Sequence, residues 1–142
     1  MPLTAPEDIA ALLNGARTIA LVGASDRPDR PSYGVMKVLQ DHGYRVLPVN
    51  PQIPGEHFHG EFVWDRLSDI GVPIDIVDIF RNSAAAGQVV DDAIAVGAKA
   101  VWMQLGVVND DAAARAEAAG LQVVMDRCPA IEIRQLGLSP LS

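Results

Sequence analysis

Four arginines, Arg27, Arg30, Arg81 and Arg127, each fall just after an apolar run of strand character. Planar guanidinium forks in such positions suit phosphate oxygens. The plainer reading is that exposed loops carry charge, and Asp26 and Asp29 offset the first two arginines on paper. Arg27 and Arg30 lie in the stretch from Thr18 to Gly34, where an apolar run stops at Gly23 and a polar loop, Ala24-Ser25 onward, leads into a helix start. Such a loop presents backbone N–H groups and a positive dipole end to an anion, so the stretch reads as a phosphate cradle. It is not a dinucleotide fingerprint: the next glycine after Gly23 is Gly34, and two prolines occupy the space between. An NAD site also wants a carboxylate after the second strand for the ribose hydroxyls, and Val49-Asn50-Pro51 stands there instead. Asn50 reads equally as a turn residue before Pro51 and as a ligand contact.

Other reactive side chains offer less. Cys128 follows Arg127 near an expected helix start, where a thiol pKa falls, but no histidine partners it, and a small, partly buried thiol is the simpler reading. His57 and His59 fall on one side of an extended segment, yet no cysteine or carboxylate spacing completes a zinc set, so they read as surface histidines. Trp64 and Trp102 read as core or sheet-edge aromatics.

The elements that must position these residues follow from apolar periodicity and punctuation. Thr4-Ala-Pro-Glu7 resembles a capping box opening a short leading helix within residues 1–17. Strands are expected at Thr18 to Val22, Tyr44 to Val49, Ile74 to Phe80, Ala100 to Met103 and Leu121 to Met125. Helices are expected from about Tyr33, capped by Ser32, to His42; after Asn82 or Ser83 to Gly97; and after Asn109 to Gly120. Residues 130–142 form a C-terminal extension with one more helical turn. Between strands two and three, Glu56 to Gly60 has no clear period and Val63 to Ile70 is a short helix or turn. Alternating strands and helices predict a doubly wound parallel α/β sheet of about five strands in the order 3-2-1-4-5, with helices on both faces. The ligand crevice is then expected beyond strands one and four, where the order reverses.

The 142 residues, 49% hydrophobic and 20% charged, predict a single domain, 1–142, with one core built on aliphatic side chains rather than the 5% of aromatics. No apolar segment approaches the ~18 residues that span a bilayer, and the N-terminus lacks a signal-peptide layout. With a lone cysteine, this predicts a cytoplasmic protein. A net charge of −7 argues against nucleic acid or an anionic membrane as partner.

Six ordered motifs carry a resemblance: Ile19-Ala-Leu-Val-Gly-Ala-Ser25, Arg30-Pro-Ser-Tyr33, Val49-Asn-Pro51, Asp78-Ile-Phe-Arg81, Trp102-Met-Gln-Leu-Gly106 and Val124-Met-Asp-Arg-Cys-Pro129. From about Ala16 to Leu136 the chain resembles the small stand-alone CoA-binding proteins, which are similar to the N-terminal domain of the succinyl-CoA synthetase α subunit. The resemblance implies a Rossmann-like domain binding coenzyme A or an acyl-CoA at the carboxyl edge of the sheet. Carried over, Gly23, Ala24 and Ser25 line the phosphates with Arg30 and Ser32 near them; Asn50 and Pro51 lie by the adenosine. Phe80 and Arg81 flank the nucleotide, and Gln104, Gly106 and Val107 line the path of the pantetheine arm. Synthetase chemistry does not carry over, since neither an ATP-grasp domain nor a phosphorylated histidine domain is present. The expectation is a binding protein, non-catalytic alone: a carrier, a sensor, or the accessory of an enzyme supplied in trans. The rival from another class is a small NAD(P)-dependent oxidoreductase or a Cys128-dependent acyl transferase.

Overall fold

The computed structural model describes residues 1–142. In chain order the elements are α1 (Pro6–Gly15), β1 (Thr18–Val22), α2 (Pro31–His42), β2 (Arg45–Val49), β3 (His57–Phe58), β4 (Glu61–Phe62), a 3-10 turn (Leu67–Asp69) and β5 (Ile76–Ile79). There follow α3 (Ser83–Ala95), β6 (Ala100–Met103), α4 (Asp110–Ala118), β7 (Gln122–Val124) and α5 (Pro129–Gln135). β1, β2, β5, β6 and β7 form one parallel sheet, and β3 and β4 form a separate antiparallel hairpin.

Strands buried on both faces must be apolar on both, which is why they read as continuous runs. Along β1, Ile19 and Leu21 face a core shared with α1, α2 and α5, while Ala20 and Val22 face a second core shared with α3 and α4. Trp102, the largest side chain with no exposure, sits in the first core. Asn82 and Asn109 cap α3 and α4 as expected, accepting from the Ala85 and Ala112 N–H groups at 2.8 and 3.0 Å. Two expected caps are not made. α1 starts after Ala5 without a side-chain bond from Thr4. α2 starts two residues earlier than expected, because Pro31 is pre-set for the first helical position, so Ser32 lies inside the helix, buried, and Arg30 takes the cap position with no side-chain bond.

The parallel α/β class stands, but the strand order is β2-β1-β5-β6-β7, which in the expected numbering is 2-1-3-4-5 rather than 3-2-1-4-5. β5 pairs with β1, from Ile19 opposite Ile76 to Val22 opposite Ile79, and with β6 on its other side. The reason lies in β2. Pro48 has no N–H for a further ladder, so β2 belongs at an edge. The segment after the β3–β4 hairpin occupies that edge instead of a full strand: the Trp64 N–H donates to the Pro48 carbonyl and the Asn50 N–H to the Trp64 carbonyl, both at 2.9 Å. The order therefore reverses between β1 and β5, and the crevice moves from strands one and four to strands one and three.

Candidate functional site

At the carboxyl end of β1 the chain turns at Gly23, whose φ is +88°. A Cβ there would lie 2.2 Å from the Phe80 carbonyl oxygen, so only glycine lets the two strand ends approach. The Gly23 and Ala24 N–H groups donate to the Val49 carbonyl at 3.0 and 3.3 Å, and Asn50 Nδ2 donates to the Ala24 carbonyl at 2.7 Å. Asn50 Oδ1 accepts from the Gln52 N–H at 2.8 Å, so this one side chain makes the turn and also ties the loop after β2 to the loop after β1. Ser25 Oγ accepts from the Arg27 N–H at 3.1 Å, bending the cradle toward α2.

These loops enclose a polar cleft of about 430 Å³. Nine of the twelve residues expected at the site line it: Gly23, Ala24, Ser25, Arg30, Ser32, Asn50, Pro51, Phe80 and Arg81. Arg27 and Gln52 join them. Arg27 makes an exposed pair with Asp29 at 3.7 Å, whereas Arg30 and Arg81 pair with no carboxylate. The first turn of α2 has neither a side-chain cap nor an acidic residue, while α4 carries Asp110 and Asp111 in its first turn. The positive end of α2 thus stands uncompensated beside the cleft, with two free guanidinium groups, an arrangement that takes an anion.

Two further hollows adjoin the cleft. An apolar groove of about 720 Å³ shares Pro31, Phe80 and Arg81 with it and is walled by Gly34, Val35, Val38, Leu105, Val107, Cys128 and Ile131. Of the three residues expected along the path of a pantetheine arm, Gln104 and Val107 line this groove. The third, Gly106, is not among the groove's lining residues: it takes φ +80° between Leu105 and Val107, and its N–H donates to Asp126 at 2.7 Å. On the opposite side, a cavity of about 460 Å³ shares Pro51 and Arg81 with the cleft and adds Arg66 and Gln88, neither singled out by the sequence. Arg66 follows a segment without periodicity and Gln88 lies mid-helix, so no local signal marked them.

Arg127 does not join the other arginines, because its guanidinium is bound to Glu132 at 2.7 Å. Cys128 is buried at the start of α5 and faces the apolar groove, with no histidine among the groove's lining residues. His59 packs on Tyr33, with ring centroids 4.1 Å apart, and its Nε2 lies 3.0 Å from the Tyr33 carbonyl. No group of three His, Cys, Asp or Glu side chains is arranged to hold a metal ion. Asp78 is buried without exposure in β5. Burial pushes its carboxyl up to about 7, against a hydrogen bond from Gln104 that pulls it down.

The family model described as "CoA binding domain" matches residues 17–134. The chain belongs to the CoA binding domain family. Its match therefore spans the Gly23 loop, the Asn50–Pro51 turn, Phe80–Arg81 and the apolar groove as one unit. The uncharacterized protein YneT of Bacillus subtilis (strain 168) is 40% identical over 121 residues, covering 85% of this chain and 88% of YneT. A hypothetical protein from Pyrococcus horikoshii OT3 superposes with a TM-score of 0.89 at 39% identity, covering 96% of each chain. The dinucleotide forming acetyl-coenzyme A synthetase 1 of Ca. Korarchaeum cryptofilum is similar in fold, with a TM-score of 0.68 at 24% identity, over 82% of this chain and 27% of its own. No helix is long and apolar enough to cross a membrane.

Proposed function

We propose that this CoA binding domain binds coenzyme A or an acyl-CoA and acts without catalysis of its own, as a carrier, sensor or accessory to an enzyme supplied in trans. One observation carries the reading: a cationic polar cleft at a helix N-terminus opens into an apolar groove across the shared wall of Pro31, Phe80 and Arg81. Coenzyme A has the same two parts, a nucleotide diphosphate and a less polar pantetheine arm. In this reading the diphosphate meets Gly23, Ala24, Ser25, Arg30, Ser32 and the start of α2, and charge-assisted bonds from Arg30 and Arg81 hold it. Asn50 and Pro51 lie toward the adenosine end, and Gln104 and Val107 along the pantetheine arm.

The test is thermal unfolding with coenzyme A, dephospho-coenzyme A, acetyl-coenzyme A, NAD and NADP in parallel. A ligand at about 100 times its dissociation constant adds about 2.7 kcal/mol, which for a chain of this length raises the midpoint by roughly 5–10 °C. Stabilisation by coenzyme A and not by NAD is expected. Stabilisation by NAD or NADP alone would overturn the reading in favour of a nicotinamide enzyme.

A further inference from the structure

A carboxylic acid at the centre of a sheet is costly unless it is hydrogen-bonded. Asp78 stands in β5 with apolar neighbours in register on both sides, Leu21 of β1 and Trp102 of β6. Its one hydrogen-bond donor is Gln104 Nε2, 3.1 Å from Oδ1 and 3.3 Å from Oδ2. Gln104 is itself 95% buried, yet it lines the apolar groove, and its Oε1 accepts no bond from the protein. That oxygen is not among the sealed, unpartnered polar atoms, of which His42 Nε2 is the sole case. The acceptor is thus open to the groove, whose wall, apart from Arg81 at the border with the cleft, is made largely of Val35, Val38, Leu105, Val107 and Ile131.

An ionised carboxylate can only accept hydrogen bonds, so it dictates which end of the Gln104 amide faces it. We propose that Asp78 is a positioning residue: by holding Gln104 Nε2 it turns Oε1 into the groove, where Oε1 accepts a hydrogen bond from an amide N–H of the pantetheine arm. The proposal rests on the coenzyme A reading and adds to it a depth and a chemical group, an N–H donor at Gln104. It also makes recognition depend on the proton. When Asp78 is neutral, its O–H can donate to Oε1 and the amide turns, presenting N–H groups to the ligand's N–H instead of an acceptor. The proton comes from and returns to solvent.

A carboxyl pushed up to about 7 makes that exchange accessible. Burial and Gln104 are the influences on it. The ionisable groups of the surrounding elements are His42 at the end of α2, Tyr44 before β2, Arg81 and Cys128 on the groove wall, and Glu132 of α5 bound to Arg127.

The experiment is calorimetric titration of coenzyme A into the wild type, Asp78→Asn and Gln104→Leu at about pH 5.5 and about pH 8. The ligand's own phosphate titration is common to all three proteins and cancels in the comparison. The wild type is expected to gain about 3- to 10-fold in affinity over Gln104→Leu at the higher pH, the worth of one net hydrogen bond, and to lose that gain at the lower pH. Asp78→Asn is expected to lose the pH step while still binding, a change that a purely structural role would not produce. Parallel pH profiles in wild type and Asp78→Asn would overturn the role of Asp78 while leaving coenzyme A binding intact. Should Asp78→Asn fail to fold, equal profiles in wild type and Gln104→Leu would overturn it in the same way. A wild type that takes up no coenzyme A at either pH would overturn the coenzyme A reading first and this inference with it.

Discussion

Gly23 shows how one residue joins fold and site. Its positive φ is a conformation that side chains bearing a Cβ rarely adopt, and the Phe80 carbonyl leaves no room for that Cβ in any case. The two constraints are independent, and both act where β1 delivers the chain to the cleft. Gly23→Ala is therefore expected to cost at least about 2 kcal/mol, from positive-φ strain plus displacement of the Phe80 carbonyl, and to widen the gap between the loops that hold the anion. Urea unfolding measures the first effect and coenzyme A titration of the folded fraction the second. An alanine variant as stable as the wild type would mean that the loop relaxes freely and that the cradle is not preorganised. At the same scale the sequence was informative where a residue type has few uses. Glycine after a strand and arginines after strand ends pointed to Gly23, Arg27, Arg30 and Arg81 of the cleft lining, whereas Ala24, Ser25, Ser32, Pro51 and Phe80 were expected there only through the family resemblance. It was silent on Asp78, because an aspartate in Val77-Asp78-Ile79 carries no sign of whether it faces water or the core.

Among the elements, β1 is held in register at its start by a carboxylate outside the site. Asp75, just before β5, accepts from the Arg17 and Thr18 N–H groups at 2.8 and 3.0 Å, with Lys99 at 3.5 Å. Burial works to raise its pKa, but the two backbone hydrogen bonds and the lysine outweigh it and hold the carboxyl below its ordinary value. A depressed folded-state pKa contributes stability above the unfolded value of about 4, and that stability is lost as pH falls through the folded value. Asp75→Ala should thus destabilise by about 1–3 kcal/mol near neutrality, through two unpaired N–H groups and a lost carboxylate, with the gap to wild type narrowing in acid. Urea midpoints at neutral and at strongly acidic pH check both the size and the trend; a gap constant with pH would assign the effect to packing alone. The long strands were legible as elements because their runs are apolar and bounded by glycine or proline, but their order was not read from those runs. Pro48 did hold a usable signal: a proline within a strand rules out an interior position, and so excludes an order that sets strand two between two others. The β3–β4 hairpin escaped detection because two-residue strands are too short to display a period of two.

The molecule as a whole carries a net charge of −7, yet the proposed ligand is a polyanion and the cleft that would receive it gathers Arg27, Arg30 and Arg81. These opposing fields act over different ranges. Repulsion from carboxylates spread over the surface reaches the ligand at distances beyond the Debye length, about 10 Å at 0.1 M salt, so moderate salt removes most of it. The guanidinium contacts act at hydrogen-bond distance inside a cleft, where screening is much weaker. Association of coenzyme A should therefore quicken as salt rises from about 10 mM to about 0.1 M, while dissociation changes little over that range. This is opposite to the behaviour of a protein that steers its anionic ligand with a basic surface, for which salt slows association. Stopped-flow rates across a salt series distinguish the two. Association that slows steeply with salt would mean that the three arginines dominate the field well outside the cleft, and the acidic surface would then play no part in how the ligand arrives.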